Sequence, residues 1–115
     1  MLITDALAGA GMPLGYQFRL GRLDCKVGEG FGMLADGSAL AGSLAQTIDL
    51  VRFMAEVVGL PLVEVVRMAS LTPARALGRE KVVGSVAKGK NADFVLFDDQ
   101  FKIHGVWVGG DRVWG

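Results

Sequence analysis

A lone carboxylate, Asp5, follows a short apolar run at the start of the chain. Leu2 and Ile3 are typical of the end of a buried strand, so Asp5 would lie where that strand ends. A carboxylate held at such a position can take a proton from water and pass it on, as a general acid–base catalyst does. An acid at the start of a loop can equally cap a backbone amide. From the residues alone, this structural role is favoured.

A segment of helical periodicity follows the stretch Leu40, Ala41, Gly42 and Ser43. Gly42 has no side chain, so a ligand could approach the backbone closely there. A helix that begins after Ser43 would also leave its first N–H groups free for a ligand. The structural alternative is that Ser43 is an ordinary helix N-cap.

Metal ligands are scarce in this sequence. A catalytic zinc site takes about three protein ligands, and the only histidine is His104, within the apolar stretch FKIHGVWV. The carboxylates Asp24, Glu29, Asp36 and Asp49 are scattered without ligand spacing. We therefore interpret His104 as an ordinary strand residue and identify no metal ligand in the chain.

A β-rich region is expected to follow Asp5 after a loop rich in glycine. Residues 16–20 and Leu23–Val27 alternate in polarity on either side of Gly21-Arg22, which predicts a hairpin. Leu23, Cys25 and Val27 would share one face of its second strand, with Asp24 and Lys26 on the other, and Cys25 is interpreted as a core residue. A third strand is expected over Phe31–Leu34.

Three stretches of helical spacing predict a helical block over residues 43–78. Each stretch has residues typical of a helix start or stop. The predicted boundary residues are Ser43 and Gly59 for the first helix, Pro61 for the second, and Thr72, Pro73 and Gly78 for the third.

The last third of the chain is predicted to be β. Residues 84–86 are expected to be extended, and Phe94–Phe97 is an apolar run typical of a strand buried on both faces. Residues 101–108 and 112–114 flank Gly-Gly-Asp and predict a second hairpin. The expected fold class is therefore α/β.

The composition narrows the class of protein further. Twelve basic residues balance twelve acidic ones, so no basic stripe for nucleic acid is expected. No apolar run approaches the roughly 20 residues of a membrane helix. The start has no basic region or cleavage site, so no signal peptide is expected. The single cysteine, Cys25, permits no internal disulfide. These features predict a cytoplasmic domain that binds neither nucleic acid nor membrane.

Five segments resemble one known family: LITDALAGAGMP, GRLDCKV, LADGSALAGSLAQTIDL, VVRMASLTPARALG and GSVAKGKNADFVLFD. They are similar to the C-terminal third of N-acetylglucosamine-6-phosphate deacetylases, which belong to the amidohydrolase superfamily. The fourth and fifth segments are typical of the superfamily at large. The first and third point to the deacetylase branch.

The resemblance implies a fragment of a (β/α)8 metal-dependent hydrolase barrel with a small β-sandwich domain. Residues 1–80 would be the end of the barrel: strand eight, a β-hairpin insertion and helices. Residues 81–115 would be the C-terminal strands of the small β domain. Residues 1–4 would then end strand eight, with Asp5 at the tip where barrel enzymes place catalytic groups. About two-thirds of the enzyme would be absent.

The implied reaction converts N-acetylglucosamine 6-phosphate and water into glucosamine 6-phosphate and acetate. Asp5 would be the catalytic acid–base, and Leu40, Ala41, Gly42 and Ser43 would contact the sugar. The parent enzyme would use a divalent metal, zinc or iron, held by a Glu and two His residues that nothing in this sequence matches. We therefore expect the chain alone to bind no metal and to hydrolyse nothing.

Two other hypotheses about the class of protein remain open. The chain could belong to a dihydroorotase or deaminase, although the segment from Asp5 to Ser43 fits those branches poorly. It could also be a small non-catalytic assembly domain. A fragment would leave open strand edges and apolar faces, and open edges pair with other chains, so self-association into a homo-oligomer is expected.

Overall fold

The computed structural model describes residues 1–115 and consists of two compact units. The N-terminal unit comprises Ile3–Leu50, and the C-terminal unit comprises Val51–Gly115 together with Met1–Leu2. Each unit contains one antiparallel sheet. The division at residue 80 expected above concerns the domains of a larger enzyme and stays a prediction. No helix of the chain has both the length and the apolar character needed to cross a membrane.

The N-terminal unit is a four-stranded meander. Its strands, paired in sequence order, are β1 (Gln17–Leu20), β2 (Leu23–Val27), β3 (Phe31–Leu34) and β4 (Leu40–Ser43). The predicted hairpin is confirmed, with Phe18 opposite Cys25. Its two-residue turn begins at Gly21, whose φ of 60° is the positive value that such tight turns require. The predicted third strand is confirmed as β3.

The core of this unit lies on one face of the sheet. Phe18, Cys25 and Val27 are its buried residues, so the expected inward alternation of β2 holds for Cys25 and Val27. Leu23, on the same strand, is 51% exposed. Leu23 directly follows the turn, at the end of the hairpin, where little of the chain covers it.

The strand β4 was not predicted, and the assignment of Ser43 as a helix N-cap is wrong. Helix α1 (Thr47–Arg52) begins only after Gln46, whose carbonyl accepts the N–H of Leu50. The N–H of Gln46 donates to the Asp49 carboxylate at 3.1 Å. This reach back from the third helical residue is half of a capping box, so α1 is capped by its own acid.

The helical region of the C-terminal unit is divided into shorter elements than predicted. A π-helical turn (Phe53–Val57) continues α1 and is followed by α2 (Leu62–Ala69) and α3 (Leu71–Ala76). The predicted stop at Gly59 is confirmed by its φ of 78°, and that at Gly78 by its φ of 65°. Val65 of α2 and Ala74 of α3 are buried.

Two predicted helix starts need correction. Pro61 is the N-cap residue of α2, not part of its first turn. The N-cap of α3 is Ser70, not Thr72, and Pro73 is the third helical residue. Pro73 is tolerated there because the N–H groups of the first turn have no intrahelical partner.

The C-terminal sheet contains β5 (Phe94–Phe97), β6 (Ile103–Val108) and β7 (Asp111–Trp114), in that order. All three strands were predicted, whereas residues 84–86 form no strand. The prediction that Phe94–Phe97 is buried on both faces is wrong. Val95 is 48% and Leu96 55% exposed, because β5 is an edge strand that packs mainly against β6.

Residues 1–4 form no strand in this chain, and their assignment to the end of strand eight of a larger barrel stays a prediction. A strand is defined by pairing with a neighbour, and the backbone hydrogen bond here joins the Leu2 N–H to the Met68 carbonyl of α2. The first β-type contact comes later, at Ala6.

Candidate functional site

The structure brings the two sequence-predicted site elements together. Ala6, next to Asp5, forms a parallel β-bridge with Ser43, the last residue of β4. The N–H of Leu7 donates to the Ser43 carbonyl at 2.9 Å. Because paired strands lie about 4.8 Å apart, Asp5 is held beside the end of the Leu40–Ser43 stretch.

The Asp5 side chain is exposed and makes no hydrogen bond or ion pair. The structural alternative, in which this acid caps a loop amide, is therefore not what the structure shows. The backbone of Asp5 has a φ of 48°, a left-handed conformation that few residues other than glycine adopt. Such conformations cost about 1–3 kcal/mol and concentrate at functional sites.

Leu7 and two glycines form a contact that sequence analysis missed. Gly32 of β3 pairs with Gly42 of β4, and the Leu7 side chain lies on both. A Cβ atom at Gly32 would come within 3.0 Å of Leu7 Cδ1, and one at Gly42 within 3.1 Å. The glycines are visible in the sequence, but only the sheet register shows that they face each other beneath Leu7.

Ser43 has a local structural task as well. Its Oγ accepts the N–H of Ala45 at 3.2 Å and so shapes the corner between β4 and α1. Leu40 is 71% exposed at the other end of the strand, while Ala41, Gly42 and Ser43 are half-buried. A ligand at this stretch would therefore meet backbone atoms and the Leu40 side chain.

Asp36 and Asp24, which lie outside this region, have structural partners. Asp36 Oδ1 accepts the N–H and the hydroxyl of Ser38 at 2.9 and 2.7 Å. The backbone N–H bond from Ser38 is the main reason that the pKa of Asp36 is lowered. Asp24 pairs with Arg19 at 3.1 Å in an exposed ion pair. No three His, Cys, Asp or Glu side chains cluster as a metal site would require.

His104 lies in the C-terminal unit and forms a pair with Asp98. Its Nε2 donates to Asp98 Oδ2 at 2.7 Å, while Asp98 Oδ1 accepts the N–H groups of Gln100 and Lys102. The hydrogen bond from His104 is the leading reason that the pKa of Asp98 is lowered. This pair organises the loop between β5 and β6.

A shallow depression of about 350 Å³ lies in the N-terminal unit. It is lined mainly by glycines and apolar side chains, among them Met12, Val27 and Leu44, and its only ionisable residue is Glu29. Neither Asp5 nor the Leu40–Ser43 stretch contributes to it, so it is separate from the candidate site.

Comparison with known proteins defines the class. The sequence profile of the Amidohydrolase family matches residues 20–113, and the chain belongs to that family. The N-acetylgalactosamine-6-phosphate deacetylase of Escherichia coli O157:H7 is 39% identical over 110 residues, which cover 96% of this chain and 29% of the relative.

Two solved structures of deacetylases are similar to this chain. The chain matches the N-acetylglucosamine-6-phosphate deacetylase of Pasteurella multocida with a TM-score of 0.85 and 32% identity, over 96% of this chain and 28% of that one. A mutant of the N-acetyl-D-glucosamine-6-phosphate deacetylase of Mycobacterium smegmatis was solved in complex with N-acetyl-D-glucosamine-6-phosphate. This chain matches it with a TM-score of 0.77 and 35% identity, over 96% of this chain and 29% of that one. The chain thus spans less than a third of the length of each of these three relatives.

Proposed function

We propose that the chain forms the C-terminal part of an enzyme that hydrolyses N-acetylglucosamine 6-phosphate to glucosamine 6-phosphate and acetate. The match of 96% of the chain to the Pasteurella multocida deacetylase supports the reaction. The observation that carries the assignment of the site is the placement of an unpaired carboxylate, Asp5, beside the end of β4. The three-dimensional neighbourhood thus joins two elements that the sequence keeps far apart.

Asp5 would move the proton in this reaction. Its carboxylate accepts a proton from the water that attacks the acetyl carbonyl, and then gives that proton to the nitrogen as the C–N bond breaks. Acetate and the free amine are the products. An exposed carboxylate without a partner suits this task because it has no hydrogen bond to break before it accepts a proton.

The stretch Leu40, Ala41, Gly42 and Ser43 would contact the sugar phosphate substrate. This proposal is supported by the contacts of Ala6 and Leu7 with Ser43, which hold Asp5 close to the stretch. A sugar bound there would lie within reach of the carboxylate. Gly42 has a φ of 152° and no side chain, so the backbone there is open except where Leu7 covers it.

The resemblance implies a divalent metal, zinc or iron, and the residues of this chain do not fit one. Asp5 could supply one oxygen ligand, but no second or third donor lies in a cluster with it, and about three are needed. No step of the reaction is therefore assigned to a metal held by this chain. The chain alone, assayed with added zinc, is expected to show no turnover above the uncatalysed rate.

A second candidate substrate is N-acetylgalactosamine 6-phosphate. The Escherichia coli O157:H7 relative named for that sugar has the higher identity, 39%, against 32% for the Pasteurella multocida structure. The two sugars differ only in the orientation of one hydroxyl, so the same acid–base chemistry serves both.

The test is a hybrid enzyme in which this chain replaces the matched C-terminal segment of the Pasteurella multocida deacetylase. The hybrid should release acetate from N-acetylglucosamine 6-phosphate, and the Asp5→Asn variant should lower kcat by about 10²–10⁴-fold. Asp24→Asn, which removes another exposed carboxylate, should leave kcat unchanged. An inactive but folded hybrid would contradict the assigned reaction. Equal kcat values for Asp5→Asn and Asp24→Asn would contradict the role of Asp5.

A further inference from the structure

We infer that Leu7 is the positioning residue that fixes Asp5 relative to β4. This inference rests on the proposed function and adds to it a residue outside the predicted site. Leu7 acts at two points: its backbone N–H binds the Ser43 carbonyl at 2.9 Å, and its side chain lies on the paired glycines Gly32 and Gly42.

The need for such a residue follows from the surroundings of Asp5. Its side chain has no hydrogen bond or ion pair of its own, so the position of the carboxylate depends on where the backbone places the Asp5 Cα. That backbone is held in the left-handed region, with a φ of 48°, a conformation that persists only where neighbouring contacts impose it. The nearest such contacts in the N-terminal unit are the Ala6–Ser43 bridge and the two anchors at Leu7.

The packing beneath Leu7 leaves no room for adjustment. An added Cβ at Gly32 would lie 3.0 Å from Leu7 Cδ1, 3.3 Å from Phe18 Cζ and 3.5 Å from the Gly42 carbonyl oxygen. Leu7 is itself one of the partly buried residues that pack against the core of Phe18, Cys25 and Val27, so both this core and the glycine pair hold it. A shift of Leu7 would move the chain two residues away, at Asp5, and would change its distance from a sugar bound at β4.

Kinetics of the hybrid enzyme described above test the inference. Leu7→Ala should lower kcat by about 10-fold or more, because a displacement of about 1 Å at a reacting group can cost that much. KM should stay within about twofold, since Leu7 itself touches no substrate. Leu7→Met, which conserves volume, should restore kcat. Gly32→Ala, which pushes on Leu7 from the sheet side, should reproduce the loss.

Leu23→Ala is the matched control, because it makes the same chemical change at a leucine that is 51% exposed and away from the site. Circular dichroism establishes the folded fraction, to which kcat is normalised. In the 115-residue chain, amide exchange should show that Leu7→Ala removes the protection of the residue-7 N–H.

The outcomes distinguish a failure of the proposed function from a failure of the role of Leu7. If the unmodified hybrid releases no acetate, the proposed function fails, and the role of Leu7 fails with it. If the hybrid is active and Leu7→Ala matches Leu23→Ala in kcat per folded enzyme, the function stands and the role of Leu7 is overturned. A rise in KM without loss of kcat would also overturn it.

Discussion

Gly9 lies where the loop after Asp5 crosses the core of the N-terminal unit, and its replacement by alanine should destabilise that unit. A Cβ at Gly9 would lie 2.6 Å from Phe18 Cε1 and 2.9 Å from Val27 Cγ2. Carbon atoms pack at about 3.5–4.0 Å, so the neighbours would have to move by almost 1 Å. The backbone φ of Gly9 is not in the positive region, so the effect would come from contact alone.

The size of the effect follows from how firmly Phe18 is held. Phe18 is 9% exposed, lies opposite Cys25 and packs close to Gly32, so it cannot retreat. Overpacking of this kind costs about 1–3 kcal/mol. Alanine also restricts the unfolded chain and returns about 0.4–1 kcal/mol. The expected loss in the free energy of unfolding is therefore about 1–2 kcal/mol.

The single cysteine provides the assay. Cys25 is fully buried in the same core, so a thiol reagent can label it only when the unit opens. A loss of about 1–2 kcal/mol should raise the labelling rate by about 5–30-fold. Adding Phe18→Leu should relieve the crowding, so that the double variant is labelled more slowly than the two single effects predict. Labelling of Gly9→Ala no faster than that of the unmodified chain would refute the reasoning.

Two further predictions concern the C-terminal unit. His104→Ala should raise the pKa of Asp98 towards its ordinary value, because the main hydrogen bond that lowers it is lost; carboxyl titration by NMR would show this, with Asp36 as the internal control. Since the folded-state pKa of Asp98 is depressed, its contribution to stability is present above the unfolded-state value of about 4 and is lost as the pH falls through the folded-state pKa. An unchanged Asp98 titration would contradict the assignment. Self-association is expected at micromolar concentration, because β5 offers an open edge and exposed apolar side chains. Sedimentation velocity should detect species larger than a monomer, and Leu96→Lys should reduce them; a clean monomer at these concentrations would count against the prediction.

Local patterns were sufficient where neighbouring residues determine the structure. The alternation around Gly21-Arg22 predicted β1 and β2 because a two-residue turn and a period of two fix a hairpin without distant contacts. Gly59 and Gly78 predicted helix ends for a similar reason, since a left-handed residue ends a helix wherever it occurs.

Local patterns failed where contacts with a distant segment determine the structure. The stretch Leu40, Ala41, Gly42 and Ser43 has small residues and weak alternation, and the serine before a helical pattern favoured a cap. It forms β4 because it pairs with β3, and because Leu7 fits against the glycines that this pairing places together. The apolar run Phe94–Phe97 predicted a strand correctly but not its burial, which depends on which segments cover the sheet.

The sequence by itself therefore determined the turns, most strands, the helix ends and the choice of Asp5 as the acid to consider. Only the tertiary structure decided that Asp5 lies beside Ser43, that its carboxylate has no partner, and that Leu7 rests on Gly32 and Gly42. The physical reason is that a parallel bridge joins segments far apart in the chain. Its register depends on packing across the sheet, which no local pattern of residues records.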